Sequence, residues 1–150
     1  NPTSALIYNN LGSAYRKKEM YDEAILNYGL AIKMDQSNHV YYNNRGTAYY
    51  HAKKYEKAIN QYKKAVLLNR EYSYAYNNLG AAHMKQKNYI KAIEAFNKAV
   101  TIDKKYIQAW INLGSAHEMN NNIEEAVLAW DKAVKAGSKE AQQFINYYKN

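Results

Sequence analysis

The chain has 150 residues, 47% of them hydrophobic, and a formal charge of +8 from 21 basic and 13 acidic side chains, with one proline and no cysteine. That is enough chain and enough apolar material for one domain with a real core. The composition excludes disulfides and cysteine-ligated zinc and long Pro- or Gly-rich linkers, and no apolar run reaches membrane-spanning length.

The chain opens with Asn1-Pro2, followed by the hydroxyl residues Thr3 and Ser4, which suit a helix start. A motif then recurs: Tyr8-Asn9-Asn10-Leu11-Gly12, Tyr42-Asn43-Asn44-Arg45-Gly46, Tyr76-Asn77-Asn78-Leu79-Gly80 and Trp110-Ile111-Asn112-Leu113-Gly114. The glycines are 34 residues apart, and a fixed period of that size points to a repeat architecture. With repeats beginning at Ala5, His39, Ser73 and Ile107, position 11 reads Tyr15, Tyr49, His83, His117, and position 20 is always alanine. Position 24 is a ring (Tyr28, Tyr62, Phe96, Trp130), and position 27 is Ala31, Ala65, Ala99, Ala133.

Within a copy, a first helix is expected over about positions 1 to 14. In the second copy Tyr42 and Tyr49 lie two turns apart on one face, with Gly46 between them where a side chain would collide with a partner helix. A short turn at Lys53-Lys54 precedes a second helix from about Tyr55, whose Ala58, Tyr62 and Ala65 pack back on the first. Asp22, Glu23, Glu56, Glu124 and Glu125 open second helices while Lys33, Lys64, Lys98 and Lys135 fall late, which suits the helix dipole; Lys91 breaks the rule. After the fourth copy, Gly137 reads as a helix stop and Ser138 as an N-cap. Ala141, Phe144, Ile145 and Tyr148 then give one apolar face, as a terminal capping helix requires.

The pattern aromatic-x-x-Leu-Gly-x-x-Tyr, Ala-x-x-x-aromatic, Ala resembles the tetratricopeptide repeat family from Ala5 to about Glu140. The resemblance implies an all-α, right-handed α-solenoid of four helix-turn-helix repeats (5–38, 39–72, 73–106, 107–140) plus a capping helix at about 138–149, its inner groove binding peptides. Asn1-Pro2 matches positions 31 and 32 of a preceding repeat, so the chain is expected to be the C-terminal part of a longer array. The proline usual at position 32 is replaced by Gln36, Arg70, Lys104 and Ser138, which leaves the inter-repeat turn geometry open.

In this family, positions 2, 5, 6, 9, 12 and 13 line the concave surface. Position 6 is Asn10, Asn44, Asn78 and Asn112, and position 5 adds Asn9, Asn43 and Asn77. An amide both donates and accepts, so a ladder of amides can hold the backbone of an extended peptide whatever its side chains. The competing reading makes each asparagine a spacer bonded to neighbouring helices. Val40, Tyr50, Tyr74, Met84 and Met119 add apolar contact, with Tyr50 and Tyr74 expected as hot spots because the packing pattern does not use them. Arg16, Lys17, His51 and Lys85 give a basic side opposed by Glu118, which favours an acidic or hydrophobic-acidic segment. The residues with which some family members grip chaperone C-terminal carboxylates are matched only at Asn44, among Asn9, Ser13, Asn44, Tyr74 and Asn78.

The expected function is therefore a non-catalytic protein-interaction scaffold, with no cofactor, metal, small-molecule substrate or membrane partner and a default cytoplasmic location. His83 and His117 stand in for the position-11 ring rather than as metal ligands. No catalytic or phosphate-cradling motif appears. Two rivals are self-association through an N-terminal face bearing Leu6 and Ile7, and nucleic-acid binding. The second would need the lysines on one stripe with rings interleaved, whereas they are scattered among acidic neighbours over loops and second helices.

Overall fold

A computed structural model describes residues 2–149, with side chains described over 4–148. The reading of Asn1 as the turn residue of a preceding repeat lies outside the described residues. Among them the chain forms nine helices and no strand: α1 (Pro2–Lys17), α2 (Tyr21–Met34), α3 (His39–His51), α4 (Tyr55–Leu68), α5 (Ser73–Lys85), α6 (Tyr89–Ile102), α7 (Ile107–Met119), α8 (Ile123–Lys135) and α9 (Lys139–Lys149). Each helix packs on its neighbours in the chain. In addition α1, α3, α5 and α7 touch in sequence, while the even-numbered helices stand further apart. A stack whose odd helices approach more closely curves with those helices inside, so they form the groove wall. The fold is an α-solenoid.

The repeat-defining residues explain why the helices pair. A Cβ added at Gly46 would lie 2.7 Å from the Tyr62 ring, and one at Gly80 would lie 2.6 Å from Phe96. Gly12 stands in the same relation to Tyr28, and Gly114 to Trp130. Each position-8 glycine thus gives its place to the position-24 ring of its own repeat, and that close packing offsets glycine's helix-propensity cost of about 1 kcal/mol. Tyr28, Tyr62, Phe96 and Trp130 are the largest fully buried side chains.

The buried ring also sets its polar partner. Tyr28 meets the Ser13 hydroxyl at 3.0 Å, and the Tyr62 hydroxyl donates to Thr47 at 3.4 Å. Phe96 has no hydroxyl, and Ala81 holds the matching position. Trp130 instead donates its indole N–H to the Ile111 carbonyl at 3.3 Å.

The turns follow rules that the sequence pattern hid. Glu19, Lys53, Lys87 and Asn121, all at position 15, have φ of 61°, 59°, 58° and 62°. The two helices of every repeat are therefore joined through one left-handed residue, none of them glycine. Between repeats the missing proline is not needed. The side chains of Asp35, Asn69 and Asp103 accept the backbone N–H of Ser37, Glu71 and Lys105 at 3.0, 3.0 and 2.9 Å. This Asx turn fixes the reversal that the proline would otherwise stiffen. At the end of the fourth repeat Gly137 (φ 107°) replaces it, and the Ser138 hydroxyl caps α9 by accepting from the Ala141 N–H at 3.1 Å. Ala141 and Ile145 of α9 are buried against Trp130 and Ala133.

Candidate functional site

The asparagines form a series of separate hydrogen bonds along the groove wall, one between each repeat and the next. Asn44 donates its side-chain N–H to the Asn9 carbonyl oxygen at 2.9 Å, Asn78 to Asn43 at 3.0 Å, and Asn112 to Asn77 at 2.9 Å. Position 6 of each repeat thus reaches back to position 5 of the repeat before it. Asn9, Asn43 and Asn77 are buried, while Asn44, Asn78 and Asn112 are half-buried and Asn10 is exposed. The two positions have different work. Position 5 is an acceptor inside the wall, and position 6 closes the bond from the groove side. Ile111 ends the series, since an aliphatic side chain offers no acceptor. Asn44 and Asn78 each have a carbonyl oxygen with no bonding partner among the described residues, whereas that of Asn112 accepts from Gln108 at 3.1 Å.

Beside this wall lies a cavity of about 410 Å³ that brings together Tyr50, Met84, Lys85, Asn112, Ser115 and Met119. Their contact across three repeats follows from the 34-residue period, which returns positions 6, 9, 12 and 13 to one side. Lys87 and Tyr89 also line it. They were not legible as groove residues because they belong to the turn and the second helix.

Tyr50, expected to be free of packing, is half-buried against the core cluster that contains Ile59 and Leu79 and meets the Tyr55 and His51 rings at 5.5 and 5.6 Å. Its ring therefore braces the groove floor as well as facing the cavity. His51 is exposed and stacks on Tyr21 at 5.7 Å. Arg16 and Lys17 close α1 and do not line the cavity. Glu118, expected to oppose the basic side, accepts from the Tyr148 hydroxyl of α9; that hydrogen bond pushes the phenol up to about 12. Tyr74 is exposed, as expected of a contact residue. It sits in a row of rings, 6.0 Å from Tyr72 and 5.0 Å from Tyr106, with His39 edge-on to Tyr72 at 4.7 Å.

His83 is buried, and the Nδ1 atoms of both His83 and His117 lack a partner. Burial holds the His83 imidazole below its ordinary 6.5; Lys63 and Lys91 push the same way, and Glu94 opposes them. Burial also lowers His117, against Glu125. Unfolded histidines take up protons near 6.5 while these two resist until lower pH, so protons favour the unfolded chain. Melting temperature is expected to fall as pH drops through 6.5 and below. A variant with His83→Tyr and His117→Tyr, which restores the ring found at Tyr15 and Tyr49, should show a flatter profile; thermal melts across the acid range check this. Among the described residues no group of three or more ligating side chains could hold a metal, and no helix is long and apolar enough to cross a membrane.

Comparison with known proteins agrees with this geometry. Two family models match, one described as tetratricopeptide repeat over residues 5–38 and 73–106, the other as TPR repeat over residues 46–87. No curated protein sequence matches the chain significantly. Among solved structures it is similar to MamA, with TM-score 0.84 and 27% identity, covering 95% of this chain and 83% of that one. It is also similar to the first TPR domain of human RPAP3, with TM-score 0.79 and 30% identity, covering 83% of this chain and 98% of that one. A further similar structure is the first TPR of Spaghetti (RPAP3) bound to the HSP90 peptide SRMEEVD, with TM-score 0.78 and 29% identity, covering 81% of this chain and 96% of that one. By repeat pattern, fold and these matches, the chain belongs to the tetratricopeptide repeat family.

Proposed function

We propose that the chain is a non-catalytic scaffold whose concave groove holds an extended segment of a partner protein. The observation that carries this reading is the cavity formed by Tyr50, Met84, Lys85 and Met119 beside the amide wall. An apolar side chain of the segment enters the cavity, Lys85 and Lys87 attract neighbouring carboxylates, and the uncommitted carbonyls of Asn44 and Asn78 accept from its backbone. The groove is built before the ligand arrives, so little ordering entropy is lost on the receptor side. At about 0.5–1.5 kcal/mol net per hydrogen bond, a few such bonds with one anchor correspond to affinities of about micromolar.

RPAP3 supports an acidic ligand class, since the peptide solved with it, SRMEEVD, is rich in acidic residues. Of the carboxylate-gripping side chains of chaperone-binding relatives only Asn44 is matched here, so the segment need not end in a free carboxylate. Peptides selected from a random decapeptide library should bind the wild type and lose about tenfold or more in affinity to a Tyr74→Ala, Lys85→Glu variant. Both residues are exposed and lie outside the amide wall. Fluorescence anisotropy gives the readout, and unchanged affinity would remove the groove from consideration. A second reading, self-association, is favoured by the exposure of Leu6, Ile7 and Leu11 on α1. Sedimentation over a wide concentration range separates the two.

A further inference from the structure

A second cavity, sharing no residue with the one beside the amide wall, lies between the C-terminal ends of α6 and α8. It measures about 870 Å³ and is lined by Lys104, Lys105, Lys132 and Lys135 around the side of Trp110. The indole is pinned, its N–H donated to the Lys104 carbonyl at 2.9 Å, and with Val100 and Ala136 it gives the cleft an apolar floor. Of the four ammonium groups only that of Lys135 is ion-paired among the described residues, with Asp131. The nearby Asp103 carboxylate is engaged by the Lys105 N–H within the inter-repeat turn.

Lysines near helix C-termini offset the helix dipole, but these four do more than that. Two come from the turn after α6 and two from the last turn of α8, and all four converge on one apolar-floored hollow. We propose that this cleft is a second binding site, distinct from the groove, for an acidic protein segment with an apolar side chain among its carboxylates. The apolar residue lies against Trp110, and the carboxylates meet Lys104, Lys105 and Lys132. Charge complementarity selects the ligand, and the Val100 and Ala136 side chains in the lining suit an apolar residue of a peptide. The cavity around His83 is lined by Lys63, Lys91 and Lys98 together with Glu94, so a nucleic-acid strand is the rival that the test must exclude. Because the cleft and the groove cavity share no lining residue, one chain can hold both ligands at once.

The test uses a fluorescein-labelled hexapeptide of alternating glutamate and leucine, and oligothymidylate of equal charge. The peptide should bind the wild type, weaken with added salt, and bind about tenfold or more weakly to a Lys104→Glu, Lys132→Glu variant. Both lysines are exposed, so circular dichroism should be unchanged. Peptide binding should shift tryptophan fluorescence in the wild type but not in Trp110→Tyr, whose new residue matches Tyr8, Tyr42 and Tyr76 at the same repeat position. The Tyr74→Ala, Lys85→Glu groove variant loses only the groove's share of binding and should keep the Trp110-dependent fluorescence shift. Equal binding by the charge-reversed variant, loss of that shift in the groove variant, or tighter binding of oligothymidylate than of the peptide would each overturn the proposal.

Discussion

Trp130→Ala should cost about 3–5 kcal/mol of stability, as truncation of a large buried aromatic does. Trp130 is 1% exposed and fills the space that Gly114 leaves open. It holds the Ile111 carbonyl through its N–H and packs against Phe144 and Tyr148 of α9 at 5.3 and 5.9 Å. Alanine there opens a cavity, deletes a buried hydrogen bond and removes the platform on which α9 rests. Because repeats contact only their neighbours, the damage should be concentrated at the C-terminal end. Hydrogen exchange should accelerate strongly in α7, α8 and α9 and little in α3, while urea unfolding reports the total. Uniform acceleration along the chain would show that the array unfolds as one unit and that nearest-neighbour reasoning does not apply to it.

Asn43→Ala is expected to cost about 1–3 kcal/mol, because it strands a polar group rather than merely deleting a contact. The Asn43 carbonyl is the acceptor for Asn78, inside a wall where Asn43 is 7% exposed. Asn78→Ala leaves the same carbonyl buried without its donor and should cost a similar amount. The double variant removes both halves of the bond, so its cost should fall well short of the sum. Urea titrations of the two single variants and the double complete the cycle. Additive costs would mean that the two amides do not act on each other and that the ladder has no structural part.

The architecture was legible because it is written many times over. The 34-residue period, the glycine opposite each ring and the apolar face of α9 each follow from residue spacing, and helix boundaries fell close to expectation. The amide wall was legible in composition but not in direction. Adjacent asparagines on one helix point different ways, and only the offset between stacked helices places Asn44 against Asn9 rather than against Asn10. The sequence raised both the ligand-facing and the spacer readings; geometry gives both positions the spacer's contacts and leaves spare acceptors at Asn44 and Asn78. Tyr50 was misjudged for a related reason. The repeat pattern shows which positions always pack, not which variable ones happen to find a ring such as Tyr55 beside them. The lysine-lined cleft was hidden because each of its lysines, taken singly, looks like ordinary helix-end compensation.

The side chains proposed to grip a guest are also the rungs that bridge successive bricks. A peptide that only borrows their spare oxygens leaves the coil as it was, whereas one that competes for their N–H groups must prise successive turns apart. Occupancy and pitch are then two readings of one spring, and stretching the array would be felt at every rung as a change in grip.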